Sequence, residues 1–350
     1  ATAAFMASAP YVQPGDKVVF TNTSTGAKRY QWSIDGQPFA STINTSRVFN
    51  TPGGYLVQLV ASNDLCSDTA SAVIHVGSCS GNQTVVWYFG SSAGMRFNTT
   101  PPTALGDGSI DTREGCATIC DAFGNLLFYT DGKSVWNRLH DLVPGGNNTL
   151  GGSGSSTQSA LIVPSPSNPA IYYIFTTDAI ADNQENGFAY SIVDMTGDNG
   201  KGIISQPFIP LQAETGEKLT AVRHTNGRDI WVIVRSAFEN KLYSFLVTDS
   251  GIEPPIISLL SIKYKQTTES VGAIKVSPTG KMLAIANFQE NRVEVYPFDR
   301  ATGIATDAGS FILTGFQSCY GVEFSPNGSL LYVGNYNAPF GITQFDLSAG

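Results

Sequence analysis

Within WNRLHD, residues 136–141, His140 stands beside Arg138 and Asp141, the nearest approach in this chain to an acid–base constellation. Such a trio could move a proton or grip a polar ligand. Only three histidines occur, His75, His140 and His224, in three different segments. A histidine that hydrogen-bonds its own loop is therefore the simpler reading, with ligand binding at His140 as the functional one. Trp136 opens the same segment in polar surroundings, and an indole in a polar loop is a stacking platform for a sugar ring. Trp87, Tyr88, Tyr172, Tyr173, Tyr336 and Phe340 are further aromatic candidates, though packing absorbs most aromatic side chains.

Two stretches place oxygen ligands at alternate positions, as a calcium loop does: DGSID (107–111) and DMTGDNGKG (194–202). Neither carries the distal glutamate of an EF-hand, and Asp-Gly and Asn-Gly are also ordinary turn chemistry. Calcium, if bound, is expected at Asp194 and Asp198; no other cofactor is indicated. Glu114 and Asp131, with Asp107 and Asp111, could form an acidic rim, but they come from one stretch of chain. No GxSxG nucleophile elbow and no HExxH zinc helix occurs. GGSGSSTQS (151–159) is glycine-rich without a lysine in phosphate-loop spacing, and reads as a flexible connecting loop.

Strands must position these residues. The chain has 350 residues, enough for two domains or one large repeat fold. Charged residues make up 14% and aromatics 11%, with abundant Gly, Ser, Thr and Asn, which suits an all-β extracellular protein with polar turns. A formal net charge of −8 and no basic cluster argue against nucleic acid as a partner. No apolar run reaches the ~20 residues of a membrane span. The opening ATAAFMASAPYVQPG lacks the basic and apolar regions of a signal peptide, so the leader is expected to have been removed, or the chain excised from something longer. Five cysteines leave at least one thiol unpaired within the chain. Cys66 and Cys79 could staple the end of the first segment. Cys116 and Cys120, four apart, would lie ~13 Å apart in a strand, too far for a disulfide. Cys319 has no evident partner.

Residues 10–76 alternate with period two: Val18 and Phe20, then Tyr30, Trp32 and Ile34, then Tyr55, Val57 and Leu59, then Ile74 and Val76. Turn clusters separate the runs, the pattern of a β-sandwich with Trp32 as core anchor. The stretch GDKVVFTNTSTGAKRYQWSIDG…FNTPGGYLVQLVASNDLCSDTASAVIHV resembles a PKD domain, an immunoglobulin-like module. The match lies in Gly15, Val18, Phe20, Asn22, Ser24, Trp32, Gly36, Pro52, Gly53, Tyr55, Val57 and Asn63. Where that family often reads W-D-F-G-D-G, this chain keeps only the second acid, Asp35. The sandwich is assigned to 1–77 and a Gly/Ser-rich linker to 78–83.

From 84 to 350 the texture becomes repetitive. CATICDAFGNLLFYTD, LIVPSPSNPAIYYIFTTD, AVRHTNGRDIWVIVRS, AIKVSPTGKMLAIAN and GVEFSPNGSLLYVGN align on their turns at Gly124, Pro169, Gly227, Gly280 and Gly328. A spacing of roughly 45–60 residues is that of propeller blades. Asn226-Gly227 and Asn327-Gly328 are tight-hairpin signals, since both residue types tolerate positive φ. The strand after each turn is apolar on both parities, which requires burial on both faces. The expectation is a β-propeller with WD40/YVTN-like blades. Five repeats are visible, and more are expected beyond residue 350.

This region, from WYFGSSAGMRFNTTPPTALGDGSIDTREGCATICDAFGNLLFYTDGKSVWNRLHDLVPGG through SALIVPSP…IYYIF, resembles the propeller segment of surface proteins of gliding Bacteroidetes. Trp87, Phe89, Gly90, Phe97, Pro101, Pro102, Glu114, Gly115, Cys116, Gly124, Asn125, Phe128, Asp131, Gly132, Trp136 and Asn137 carry the resemblance. It implies export by type IX secretion and display at the cell surface. Asp68-Thr69-Ala70 then matches the pattern at which such bacteria O-glycosylate exported proteins, at Thr69. The expected function is a non-enzymatic adhesion or binding scaffold for a surface glycan or protein, able to assemble with further copies and linked to gliding motility. The rival is a lactonase-type propeller hydrolase with a divalent metal in its central channel, which would need carboxylates from several blades.

Overall fold

The structure, a computed structural model, describes residues 1–8, 11–12, 15–50, 53–76, 83–182, 185–264, 267–315, 317–337 and 341–347. Strands dominate, and among the described residues the one α-helical assignment is the four-residue turn Gly197–Gly200. No described helix is long and apolar enough to cross a membrane. The chain divides into two compact units. The first comprises Ala1–Val86 with Phe97–Pro102 and Cys120–Leu126, and the second comprises the remainder. The linker expected at 78–83 lies outside the described residues except for Gln83.

In the first unit a three-stranded sheet (Phe5–Ala7, Lys17–Asn22, Thr45–Val48) and a five-stranded sheet enclose one core. The long hairpin Gly53–Ser62/Ser67–Val76 and the strand Arg29–Ile34 form the centre of the larger sheet. Alternation does the sorting: Val18 and Phe20 point inward and are fully buried, while Lys17, Val19 and Thr21 between them are exposed. Trp32 is fully buried, donates its indole N–H to Thr42 O at 2.9 Å, and meets Phe5 edge-on at 5.1 Å. Asp35, the acid retained from the PKD pattern, caps a turn: its carboxylate accepts from Leu56 N at 2.9 Å.

The second unit is a succession of antiparallel sheets, each made from consecutive strands. The first holds Val86–Phe89, Ala93–Arg96 and Thr103–Leu105, and the second Ala117–Cys120, Leu126–Thr130 and Val135–Asn137. The third runs from Ala160–Pro164 to Ile203–Gln212, the fourth from Thr215–Arg223 to Ile256–Leu259, the fifth from Ile274–Val276 to Phe311–Leu313. The sixth holds Cys319–Phe324, Leu330–Asn335 and Ile342–Asp346. Five repeats read from the sequence are thus six sheets among the described residues. The first escaped because its strands are only three or four residues long, although Gly90 turns between two of them at positive φ.

The all-β, propeller-like architecture holds. The strand after each turn is largely buried, completely so in Ile230–Ser236, but in Leu330–Asn335 only the Leu331/Val333 face is buried and Leu330 and Tyr332 are half-buried. Clusters around Val232 and Ile233 pack toward opposite neighbours. The turns are not two-residue hairpins. In Ser325–Gly328 and Ser277–Gly280 the glycine N–H donates to the carbonyl three residues back, at 2.8 and 2.7 Å, and only the glycine takes positive φ. Each leading serine hydroxyl then accepts the N–H that starts the next strand, Leu330 or Met282. A type I turn closed by a left-handed glycine explains why these two repeats share Ser-Pro-x-Gly.

Candidate functional site

Two constellations stand out in the second unit. The first gathers the innermost segments of its sheets. Thr157 donates both its N–H and its hydroxyl to Glu217 Oε2 at 3.0 and 2.8 Å, and Ile180 N reaches Glu217 Oε1 at 2.9 Å. The Thr157 hydroxyl lies 3.0 Å from that of Tyr320, which donates to Glu114 Oε2 at 2.6 Å. Gln158 spans two strands, accepting from Leu219 N and Ile274 N and donating to Ile274 O. Glu217 is 3% exposed, and burial raises its carboxyl above the usual range against the opposing pull of its hydrogen bonds.

This hub corrects the reading of 151–159 as a flexible loop. Gly152, Ser153, Ser156 and Ser159 are buried, and the segment is small because backbones crowd it. A Cβ on Gly115 would lie 2.0 Å from Ser159 N, and one on Gly152 2.6 Å from Gly132 O.

The second constellation surrounds the sequence-predicted pair. Trp136 lies in the strand Val135–Asn137, not in a loop as expected, because Tyr129 pairs with it across the sheet and Leu142 bridges its other side. Its indole is half-buried and stacks on Tyr129 at 5.6 Å and 17°, and Tyr129 stacks on Tyr88 at 4.6 Å. The polar ends of this row are fixed. Tyr88 donates to Asp107 at 2.8 Å, and the Tyr129 hydroxyl accepts from Ser109 N at 2.8 Å and lies 3.1 Å from His140 Nδ1. His140 Nε2 is 3.5 Å from Asp107 Oδ2, and its backbone is held at φ +67°, an uncommon conformation for a non-glycine residue. The Tyr88 hydrogen bond holds Asp107 below the usual carboxylate range, while burial and that carboxylate push Tyr88 up. Asp107 keeps 60% of its side chain exposed, an accepting group at the rim of an aromatic row.

Trp136 and His140, singled out in the sequence as ligand-binding candidates, both contact Tyr129. Tyr129 and Asp107, which join them, were missed as a unit, although Asp107 stood in DGSID. The other predicted positions lie apart. Asp194 accepts from Thr196 N and Oγ1 and is held low by that contact, while Asp198 pairs with Lys201 at 2.8 Å. Among the described residues no group of three or more His, Cys, Asp or Glu side chains is placed to hold a metal. Asp131 turns inward to accept from Lys133 N and Ser134 N, so the expected acidic rim is dispersed.

Thr69 is exposed in the strand Ser67–Val76. Cys66 is exposed as well, and its expected partner Cys79 lies outside the described residues, as does Phe340. Burial lifts the Cys116 thiol to about 11. Buried Cys319 donates to Asn287 O and Arg292 O.

Residues 2–76 match the PKD domain family. No curated protein matches the chain significantly. Among solved structures, the chain is similar to a candidate 6-phosphogluconolactonase from Bacteroides uniformis, at 16% identity and TM-score 0.42, covering 95% of this chain and 91% of that one. It is also similar to an auxiliary nutrient binding protein from Bacteroides thetaiotaomicron (11%, TM-score 0.41, 98% and 85%). A third similar structure is a functionally unknown protein from Desulfotomaculum acetoxidans (13%, TM-score 0.42, 95% and 89%). The blade architecture rests on the strand order and pairing, not on these likenesses.

Proposed function

We propose that this chain is an exported surface protein that acts by binding rather than by turnover, and that Trp136, the half-buried end of a row whose other rings, Tyr129 and Tyr88, are buried behind it, receives a carbohydrate. The PKD module at 2–76 supports a place outside the cell, where such modules are common. Type IX export, a link to gliding and assembly with further copies belong to the same proposal. One observation carries the site: an aromatic edge on a rigid sheet whose polar groups, Asp107, Ser109 and His140, are already oriented by hydrogen bonds. The Trp136 indole supplies the apolar face of a sugar contact, Tyr129 backs it from within the core, and the exposed Asp107 carboxylate supplies hydroxyl recognition without further ordering cost. The hydrolase alternative draws less support, because Glu114 and Glu217 already accept hydrogen bonds from Tyr320, Thr157 and Ile180.

A glycan array followed by calorimetry tests the reading. The protein should retain at least one glycan, with Trp136→Ala weakening it tenfold or more and Asp107→Asn weakening it measurably. Failure of the folded protein to retain any glycan, or wild-type affinity in Trp136→Ala, would overturn it.

A further inference from the structure

The glycine-rich segment 151–159 has a side that the hub does not use. A Cβ built on Gly154 would lie 3.8 Å from Lys133 Nζ and 3.8 Å from Thr112 Oγ1, and beyond its chain neighbours it would meet no heavy atom closer than these. Two side chains from separate segments therefore converge on one point beside a glycine. Thr112 stands in the connection from Thr103–Leu105 to Ala117–Cys120, and Lys133 in the turn between Leu126–Thr130 and Val135–Asn137.

The polar groups around that point are unused. Thr112 is 8% exposed, and its buried hydroxyl makes no hydrogen bond. Orphaned groups of this kind are rare in native proteins, because each costs about 1–3 kcal/mol. Among the described residues the Lys133 ammonium makes neither an ion pair nor a hydrogen bond, and the Gly154 N–H has no acceptor. An ammonium and an amide N–H can only donate, and a hydroxyl can join them. The group that completes this set therefore offers several acceptor oxygens and a negative charge. The same ammonium repels a metal ion from the point.

Acids nearby are already engaged. Asp131 accepts from Lys133 N and Ser134 N, Asp182 from the Ser153 hydroxyl, and Glu114 from the Tyr320 hydroxyl. Asp111, beside Thr112, is exposed to water. The net charge of −8 is spread over 350 residues. Salt screens exposed charges beyond ~8 Å, so the local donors decide.

We propose that Lys133, Thr112 and Gly154 bind a tetrahedral oxyanion, the phosphate or sulfate group of a ligand ester. The Lys133 ammonium supplies the charge, Thr112 Oγ1 and the Gly154 N–H donate to the oxygens, and the absence of a side chain at Gly154 leaves the space they enter. Glycine N–H groups with a cation close by are a general means of holding such anions. The segment has no lysine of its own in phosphate-loop spacing, and the second sheet provides one. This site is separate from Trp136 and stands whether or not that indole receives a sugar.

The test titrates the isotope-labelled full chain with sodium phosphate, sodium sulfate or sodium acetate at constant ionic strength, read by the Gly154 and Lys133 amide resonances. Phosphate or sulfate should shift both saturably at millimolar concentration, with acetate at least tenfold weaker. The tighter of the two names the ester. Lys133→Ala should weaken the anion tenfold or more. Gly154→Ala should melt as wild type, since its methyl meets nothing closer than 3.8 Å, yet bind tenfold or more weakly because that methyl fills the point between the donors. No saturable shift with either anion at tens of millimolar, acetate binding as tightly, or wild-type affinity in Lys133→Ala or Gly154→Ala would overturn the proposal.

Discussion

Lys218 offers the sharpest test of how this core is built. It sits on the innermost strand of the fourth sheet beside Glu217, fully buried, and donates to Val271 O at 2.6 Å and Ala286 O at 2.5 Å. Burial drives its ammonium from 10.5 down to about 7, with Glu294 and Cys319 only partly resisting. Between those two values the unfolded chain holds a proton that the folded chain lacks, so stability climbs with pH by about 1.4 kcal/mol per unit. Below about pH 7 both states are protonated and above 10.5 both are neutral, so the dependence flattens at either end. From pH 7.5 to 9.5 the lysine's contribution should therefore rise by about 2–3 kcal/mol. Lys218→Met removes the titration. It also strands two carbonyls, at about 1–3 kcal/mol each, an offset that does not vary with pH. Urea unfolding of both proteins at pH 7.5, 8.5 and 9.5 and constant ionic strength isolates the term, because the titrations they share cancel. The difference between wild type and variant should shift by about 2–3 kcal/mol in favour of wild type as pH rises. Parallel pH profiles would refute the reasoning and would mean that water or rearrangement solvates the amine.

Two further substitutions probe the hub. Gly115→Ala forces a Cβ into Ser159 backbone at 2.0 Å, and neither backbone can yield alone, so a loss above about 3 kcal/mol is expected in thermal unfolding. Glu217→Gln turns an acceptor of three hydrogen bonds toward its donors with an amide N–H₂, which should cost about 2–4 kcal/mol by urea titration; wild-type stability would show that the hub is dispensable.

Much of the architecture could be read from periodicity because burial is sorted by residue parity. Val18, Phe20 and Trp32 declare the sandwich, and Leu331 and Val333, buried beside half-buried Leu330 and Tyr332, declare an inner strand. The glycine turns marked the repeats for the same reason: positive φ leaves a visible residue choice. The hub was illegible. Glu114, Thr157, Glu217 and Tyr320 are ordinary polar residues in separate repeats, and nothing local records that they meet. Trp136 was found for its type but misplaced, since a three-residue strand between Gly132 and Arg138 gives too short an alternation to recognise.

The bond from Tyr320 to Glu114 joins residues 206 positions apart. At about 5–20 residues per second, a ribosome needs roughly 10–40 s to supply the second partner after the first. Until then the hub lacks its last member, although Thr157 already has Glu217, 60 residues further on, to bond. The hub is thus a clock as well as a clasp. It sets a minimum age before which the chain cannot be native.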